Sequence, residues 1–442
     1  MLPSSRVLRE SVTAKLLVMG VLGVLLLLPM GLIQGLVDER QWTATRAGEE
    51  IMQAWGQQQV IAGPMLVVPY RYRVREESGE IGWRDSRLFV SPSRLAVNGT
   101  LQPEIRYRGL HQVPVYAAEL GLSGRFEPVD LGSLLPTGAE AQWERAVIAL
   151  GIADPRPIKE PVVLASGSAV RPFRPGGELL PGLGRFLVAD LPPPDEEGAM
   201  PFDLRLRLNG SERIAVVPMG EHTRLELAAP WPSPSFEGAY LPDARSVDAD
   251  GFTARWDVLA LGRGFPPAWR LGEVQPQVVL AAAYGVRLYQ AAGVYQQTTR
   301  AAKYAVLFVV LTFLVYFLAE IFGGRLLHPF QYLLVGLANC VFYLLLLALS
   351  EHVDFALAYG VAACACACLV GGYSASVLGS RLRGLGVLVV LGGLYGFLFV
   401  VLRSEDTALL MGALAVFAAL AVLMFVTRRV DWYALHLGHG RA

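Results

Sequence analysis

Charge is scarce in this chain and cysteine scarcer, and neither sits where a soluble enzyme would use it. Charged residues make up 17% of 442, and Lys+Arg balance Asp+Glu at 38 each, for a formal net charge of zero. No basic stripe is available to follow a phosphate backbone, which argues against a nucleic-acid partner. The four cysteines, Cys340, Cys364, Cys366 and Cys368, all fall in apolar runs of the last third, so residues 38–303 contain none. That stretch needs no disulfide, since about 265 residues bury an adequate core unaided. Catalytic signatures are missing too: no G-x-S-x-G, no H-E-x-x-H, no P-loop, and no G-x-G-x-x-G between a strand and a helix. Only His111 and His222 of the six histidines lie in 38–303, and His222, next to Glu221, has no second histidine at ligand spacing. No catalytic residue, metal or cofactor is therefore assigned.

What the chain has in abundance is apolar length. Hydrophobic residues are 53% and mean hydropathy is +0.42. Leu16–Val37 is about 22 residues long, enough to cross a hydrocarbon core of ~30 Å as a helix. Ala305–Phe322, Tyr332–Leu349, Phe355–Leu378, Leu385–Leu402 and Ala408–Val426 repeat the signal. The first run is longer than a signal-peptide core, and no A-x-A-like site precedes Asp38-Glu39-Arg40, so it reads as an uncleaved anchor.

Orientation follows from the basic residues. With six spans both termini share one side, and the short segments there hold Arg6, Arg9, Lys15, Arg325, Arg381, Arg383, Arg428, Arg429 and Arg441. The opposite short loops hold Arg403 alone, beside Glu351, Asp354, Glu405 and Asp406. Positive residues stay cytoplasmic. The expectation is a cytoplasmic N-terminus (1–15), a first span (16–37), a domain outside the cytoplasm (38–303), a five-helix bundle (304–427) and a cytoplasmic C-terminus (428–442).

The large domain reads as β. After a short helix over Gln41–Gln59, runs such as Met65–Val74 and Arg213–Val217 are rich in Val, Tyr and Phe between turn residues. Phe202, Leu204, Leu206 and Leu208 alternate with Asp203, Arg205 and Arg207, and Phe252, Ala254, Trp256 and Val258 with Thr253, Arg255 and Asp257. Such alternation marks half-buried strands. The fold class is thus membrane α-helical, one plus five spans, with an all-β domain built as a sandwich or irregular barrel. Leu95-Ala-Val-Asn98-Gly99-Thr100 echoes Leu206-Arg-Leu-Asn209-Gly210-Ser211, and Ser123–Phe126 and Ser235–Gly238 follow at similar distances. This suggests two related sandwich-like lobes divided in Arg171–Gly184; chance similarity of two Asn-Gly hairpin turns is the alternative.

Two sets of residues stand out as candidate sites. Trp231-Pro-Ser-Pro-Ser-Phe236 is an extended segment, and with Pro69 and Tyr70 it offers a partner-docking surface; its other reading is a clamp on its own sheet edge. Near the bilayer, Glu320, His328, Glu351, His352, Arg403, Glu405 and Asp406 form a polar cluster. Ionisable groups there are costly and suggest a relay, against the blander reading of interfacial anchors. Glu320 lies within loop reach of Arg325 and His328, and Arg403 within reach of a carboxylate. Cys364/Cys368 and the small-residue rows beside them, like Gly31/Gly35 and Gly392/Gly396, read as helix-packing surfaces, and Asn339 as an interhelical hydrogen bond.

Several stretches resemble the CreD family of bacterial inner-membrane proteins. They include Trp55-Gly56-Gln57-Gln58, Ile61-x-Gly63-Pro64-x-Leu66-x-Val68-Pro69-Tyr70 and Arg106-Tyr107-Arg108-Gly109-Leu110. Trp231-Pro232-Ser233-Pro234-Ser235-Phe236, His328-Pro329-Phe330-Gln331-Tyr332, Leu349-Ser350-Glu351-His352 and Thr427-Arg428-Arg429-Val430-Asp431-Trp432-Tyr433 continue the likeness. The resemblance implies a protein under two-component control, linked to envelope integrity, colicin tolerance and β-lactam response, and it supplies no reaction. The leading expectation is a non-enzymatic protein that meets the lipid bilayer and binds or senses an envelope component or membrane-protein partner. A transporter or lipid flippase is the alternative and an envelope hydrolase a third.

Overall fold

In the computed structural model the helix that holds the first apolar run extends beyond it. It continues as one helix, α1 (Val12–Trp55), through the segment expected to form a separate short helix. Residues 38–55 contain no proline and a single glycine, Gly48, so nothing local breaks the hydrogen-bond ladder. The helix stops at Gly56, whose φ of +144° suits glycine alone. A Cβ there would lie 2.8 Å from the Asn209 carbonyl oxygen. The structure describes residues 12–75, 81–109, 111–180, 182–288, 294–323, 326–403 and 408–428.

Two compact units result. One comprises residues 1–44 and 292–442, the other residues 45–291. Among the described residues six helices are long and apolar enough to cross a membrane, one near the N-terminus and five in the last third. After the short α2 (Val294–Lys303) come α3 (Ala305–Gly323), α4 (Pro329–Ser350), α5 (Phe355–Val377), α6 (Arg381–Arg403) and α7 (Ala408–Thr427).

Within this helical unit, small residues let helices approach where the α5 row predicted it. A Cβ on Gly371 would meet Leu388, and one on Gly384 would meet Ala375. The parallel row with Cys364, Cys368 and Gly372 faces outward. Gly31, Gly35, Gly392 and Gly396 also meet nothing within 4 Å, so those small-residue pairs do not pack against described residues. Gly336 does: a Cβ there would lie 2.2 Å from Leu26 of α1.

The other unit is built from eighteen strands. They are β1 (Gln59–Arg75), β2 (Ile81–Val90), β3 (Arg94–Arg108), β4 (His111–Phe126), β5 (Glu140–Ala141), β6 (Val147–Ile152), β7 (Val163–Ser166), β8 (Ala169–Pro172) and β9 (Arg174–Gly177). There follow β10 (Arg185–Asp190), β11 (Met200–Ser211), β12 (Arg213–Val217), β13 (His222–Ala229), β14 (Pro234–Gly238), β15 (Ala244–Val247), β16 (Phe252–Leu259), β17 (Ala268–Arg270) and β18 (Tyr284–Leu288). Among the described residues four short helical turns, Leu131–Leu134, Trp143–Arg145, Ala260–Gly262 and Pro276–Ala281, interrupt them.

The first sheet runs β14-β18-β12-β1-β6-β10-β9, with β2 and β5 also on β1 and β17 on β2. The second runs β15-β16-β13-β3-β4-β11-β7-β8. A single hydrophobic core draws on both sheets, from Ile61 and Val216 to Leu120, Leu206 and Trp256. The alternation read in the sequence is the cause: Phe202, Leu204, Leu206 and Leu208 are buried while Asp203, Arg205 and Arg207 are exposed, and β16 does the same.

The two Asn-Gly pairs are neither hairpin turns nor matching parts of two lobes. Asn98 lies in β3 opposite Gly121, and Asn209 in β11 opposite Ala117, so both strands flank the same β4. The following matched segments land in different sheets, Ser123–Phe126 in β4 and Ser235–Gly238 in β14, and so cannot superpose as a unit. The region 171–184 carries β9 and the end of β8, at the edges of the two sheets, and divides nothing. What recurs is a pairing pattern. Each sheet is centred on a parallel pair, β1 with β12 and β3 with β13, whose outer neighbours are antiparallel.

Candidate functional site

The outer face of the second sheet is built by register. Gly121 of β4 lies between Arg205 of β11 and Asn98 of β3, and beyond Asn98 come Glu226 of β13, Arg255 of β16 and Ala244 of β15. The next row is Arg207, Glu119, Thr100, Ala228, Thr253 and Ser246. Small residues at the centre and long charged ones on the flanks leave an open groove of about 920 Å3. Strand spacing of about 4.8 Å puts Arg205 and Arg255, four strands apart, roughly 19 Å from each other.

Part of this charge is committed. Arg207 pairs with Glu119 at 2.9 Å and Glu160 at 2.8 Å, and both carboxylates raise its affinity for the proton. One row toward the sheet's end, Asp257 accepts from His222 and from Arg224 at 3.0 Å. Those two hydrogen bonds, His222 first, hold Asp257 below the ordinary carboxylate range. Among the described residues Arg205, Glu226 and Arg255 make no ion pair, so three charges facing the groove remain uncommitted.

The expected docking residues lie at different depths in the β unit. Tyr70 is buried, and Phe236 lies edge-on to Phe252 and Trp256, both at 5.8 Å between centroids. Trp231 and Pro69 are half-buried. The Trp231–Phe236 segment runs into β14, an edge strand paired with β18, as its clamp reading has it.

Two buried polar clusters hold this unit together. At the head of β1, Gln59 donates to the carbonyls of Asp154 (3.0 Å) and Asn209 (3.1 Å). Asp154 accepts from Gln57 N–H and, through both oxygens, from Arg156. Burial pushes the Asp154 carboxyl up, but these hydrogen bonds outweigh it and leave the group below its ordinary value. Trp55 lies under the Arg106 guanidinium at 4.0 Å. The stretch Trp55–Gln58 is therefore the socket where helix becomes sheet. The second cluster is Arg263, only 2% exposed. It donates to the carbonyls of Pro218, Met219, Gly220, Phe265 and Pro266 and to the Ser91 hydroxyl. Burial lowers its pKa to about 10.

In the helical unit the predicted polar residues split into two ends. Glu320 is fully buried near the end of α3: it pairs with Lys15 of α1, accepts from Tyr332 Oη at 2.8 Å and from Leu327 N–H at 2.9 Å. Lys15 is its cation among the described residues, and Arg325 lies outside them. His328 is the exposed cap of α4, accepting from Phe330 N–H at 3.2 Å. A cavity of about 500 Å3 lies beside them, lined by Lys15, Met19, Leu327, His328 and Tyr332 among others. At the other end Glu351 lies 3.7 Å from Arg40 of α1, His352 is exposed, and Arg403 stacks over Phe399 at 5.6 Å. Glu405 and Asp406 lie outside the described residues.

Between these ends α4 presents a buried polar face. Asn339 accepts from Tyr395 Oη of α6 at 3.4 Å, the interhelical bond expected of it. Tyr359 of α5 donates to the Tyr395 carbonyl at 2.7 Å. The Asn339 amide nitrogen and the Tyr343 hydroxyl are buried without a partner.

A family model described as inner membrane protein CreD matches residues 11–433. The curated inner membrane protein CreD of Escherichia coli (strain K12) is 35% identical over 429 residues, covering 93% of this chain and 92% of that protein.

Proposed function

The chain belongs to the CreD family of inner membrane proteins, and from that premise we propose that its β unit lies on the periplasmic side and binds an envelope component along the groove of the second sheet. The observation carrying this reading is that groove: an open channel in which, among the described residues, Arg205, Glu226 and Arg255 have no ion pair of their own. Exposed charges usually find local partners, and a row left without them is suited to a ligand carrying charges of its own. The basic residues Lys15, Arg381, Arg383 and Arg428 on the short segments support cytoplasmic termini. On this reading the protein contributes to envelope integrity by binding or sensing, without catalysing a reaction. Trp231, Phe236, Pro69 and Tyr70 then act by holding the first sheet in shape.

Gly121→Trp tests the groove. A Cβ at Gly121 meets nothing closer than 3.9 Å, so the side chain fills the floor without disturbing the core. Envelope tolerance should fall to that of cells lacking the protein while the melting temperature holds; full tolerance in Gly121→Trp and in Arg205→Glu/Arg255→Glu would count against the groove. Placement is checked with Ser246→Cys, because the native cysteines lie in α4 and α5. A membrane-impermeant maleimide should label it in intact spheroplasts, and labelling only after lysis overturns a periplasmic β unit.

A second reading, transport of an amphiphile by the bundle, is favoured by the buried Lys15–Glu320 pair beside the apolar-walled cavity. Glu320→Gln retaining full tolerance would remove it.

A further inference from the structure

We propose that the helix bundle carries an internal water-binding site between α4, α5 and α6, at Asn339 and Tyr343. Both residues are 0% exposed and one turn apart on the same face of α4, about halfway along it. Tyr395 approaches from α6 and Tyr359 from α5. The cluster is enclosed by Phe308, Phe342, Cys340 and Cys366.

The hydrogen-bond count does not close without a guest. Asn339 Oδ1 has Tyr395 Oη, but among the described residues Nδ2 and Tyr343 Oη have no partner. Exchanging the amide oxygen and nitrogen does not help. It turns Nδ2 toward Tyr395 and leaves Oδ1 without a donor in its place. The β unit also contains unpartnered buried atoms, Trp269 Nε1 and Tyr284 Oη, but that unit stands in water. In hydrocarbon no solvent reaches a stranded group, and neighbouring groups or ordered water must satisfy it. The guest must both donate and accept, carry no charge among neutral partners and fit a packed aromatic core. Water meets all three conditions.

The site gives the bundle a hydrated point near its middle, where a simple anchor would have only apolar packing. It rests on bundle geometry alone and stands or falls apart from the groove.

The intact chain in detergent tests it twice. A structure at a resolution that shows ordered solvent should contain density within hydrogen-bond reach of both the Asn339 amide and the Tyr343 hydroxyl; empty density overturns the site. Tyr343→Phe gives the second reading by its sign. If the hydroxyl binds water, its loss should lower the melting temperature by about 2–4 °C. A dry, stranded hydroxyl would be better replaced by phenyl, so a rise in melting temperature overturns the proposal. Asn339→Leu/Tyr343→Phe should lose less than the two single losses combined, because the double variant removes the guest's reason to be there.

Discussion

Replacing Arg263 by methionine is the most demanding test of how the β unit is held together. The guanidinium ties the β12–β13 turn (Pro218, Met219, Gly220) to the 263–266 loop and to Ser91 ahead of β3. Methionine matches the stem in length but takes a donor from six acceptors, most of them in buried residues. A single stranded buried acceptor costs about 1–3 kcal/mol, but the costs do not add fully because the loop can relax. Removing the cation also returns its own desolvation penalty, which the fall of its pKa to about 10 makes visible. Breaking a buried charged network typically costs ~3–5 kcal/mol, and about 4 is the expectation here. For a unit of this size that corresponds to roughly 8–16 °C in melting temperature. Trp269 is a built-in reporter, stacked on Phe89 at 5.7 Å and edge-on to Phe265 at 5.5 Å. Its fluorescence in the intact chain should follow the loss directly. Arg263→Lys keeps the charge with fewer donors and should fall between. A change under about 1 kcal/mol for Arg263→Met would refute the assignment of Arg263 as a staple, because that is the scale of an ordinary surface substitution.

Three further outcomes follow. Asp257 is held below its ordinary 3.8 by His222 and Arg224, so its contribution is present above that value and lost as pH falls through the lower folded one. Asp257→Asn should flatten the melting-temperature profile below pH ~4, and an unchanged acid limb would show the cluster to be energetically idle. Lys15→Met leaves Glu320 buried without its cation and should cost ~3–5 kcal/mol, whereas Lys15→Met/Glu320→Met should recover most of it; equal losses in both variants would contradict a buried ion pair. Gly336→Val places a side chain where Leu26 already lies, and overpacking of this kind should cost about 1–3 kcal/mol in bundle stability. No loss would mean that α1 does not approach α4 so closely.

Much of the architecture was legible because its causes are local. Six runs of apolar residues declare six helices, and strict alternation in Phe202–Leu208 and Phe252–Val258 declares strands and the faces they bury. Asn339, the one strong amide in the interior of the closing spans, declared its interhelical bond. Signals that depend on distance did not carry. Nothing around Lys15 announces Glu320, 305 residues away, as its partner. The groove needs five registers at once: Gly121, Asn98 and Ala228 look like unrelated loop or strand residues until β4, β3 and β13 are laid side by side. Its one early trace was the polar half of the alternation, Arg205 and Arg255, read as solvated faces. The continuation of α1 past Val37 was missed because the change from apolar to polar residues looks like an end, although propensity continues unbroken. Arg263 gave no sign at all; an arginine between two glycines is an ordinary loop residue until its acceptors converge.

The parallel pairs at the heart of both sheets have a consequence for biosynthesis. β1 waits for β12 and β3 for β13, partners more than a hundred residues downstream. While the nascent chain emerges from the ribosome, the earlier half therefore presents long, sticky, unzipped margins to whatever surrounds it. Such margins invite pairing with strangers, and distant closure is slow. Cells making this protein at high rate should accordingly lean on holdase chaperones in whichever compartment receives the strands, and truncation anywhere before residue 229 should yield aggregates rather than a smaller stable fold.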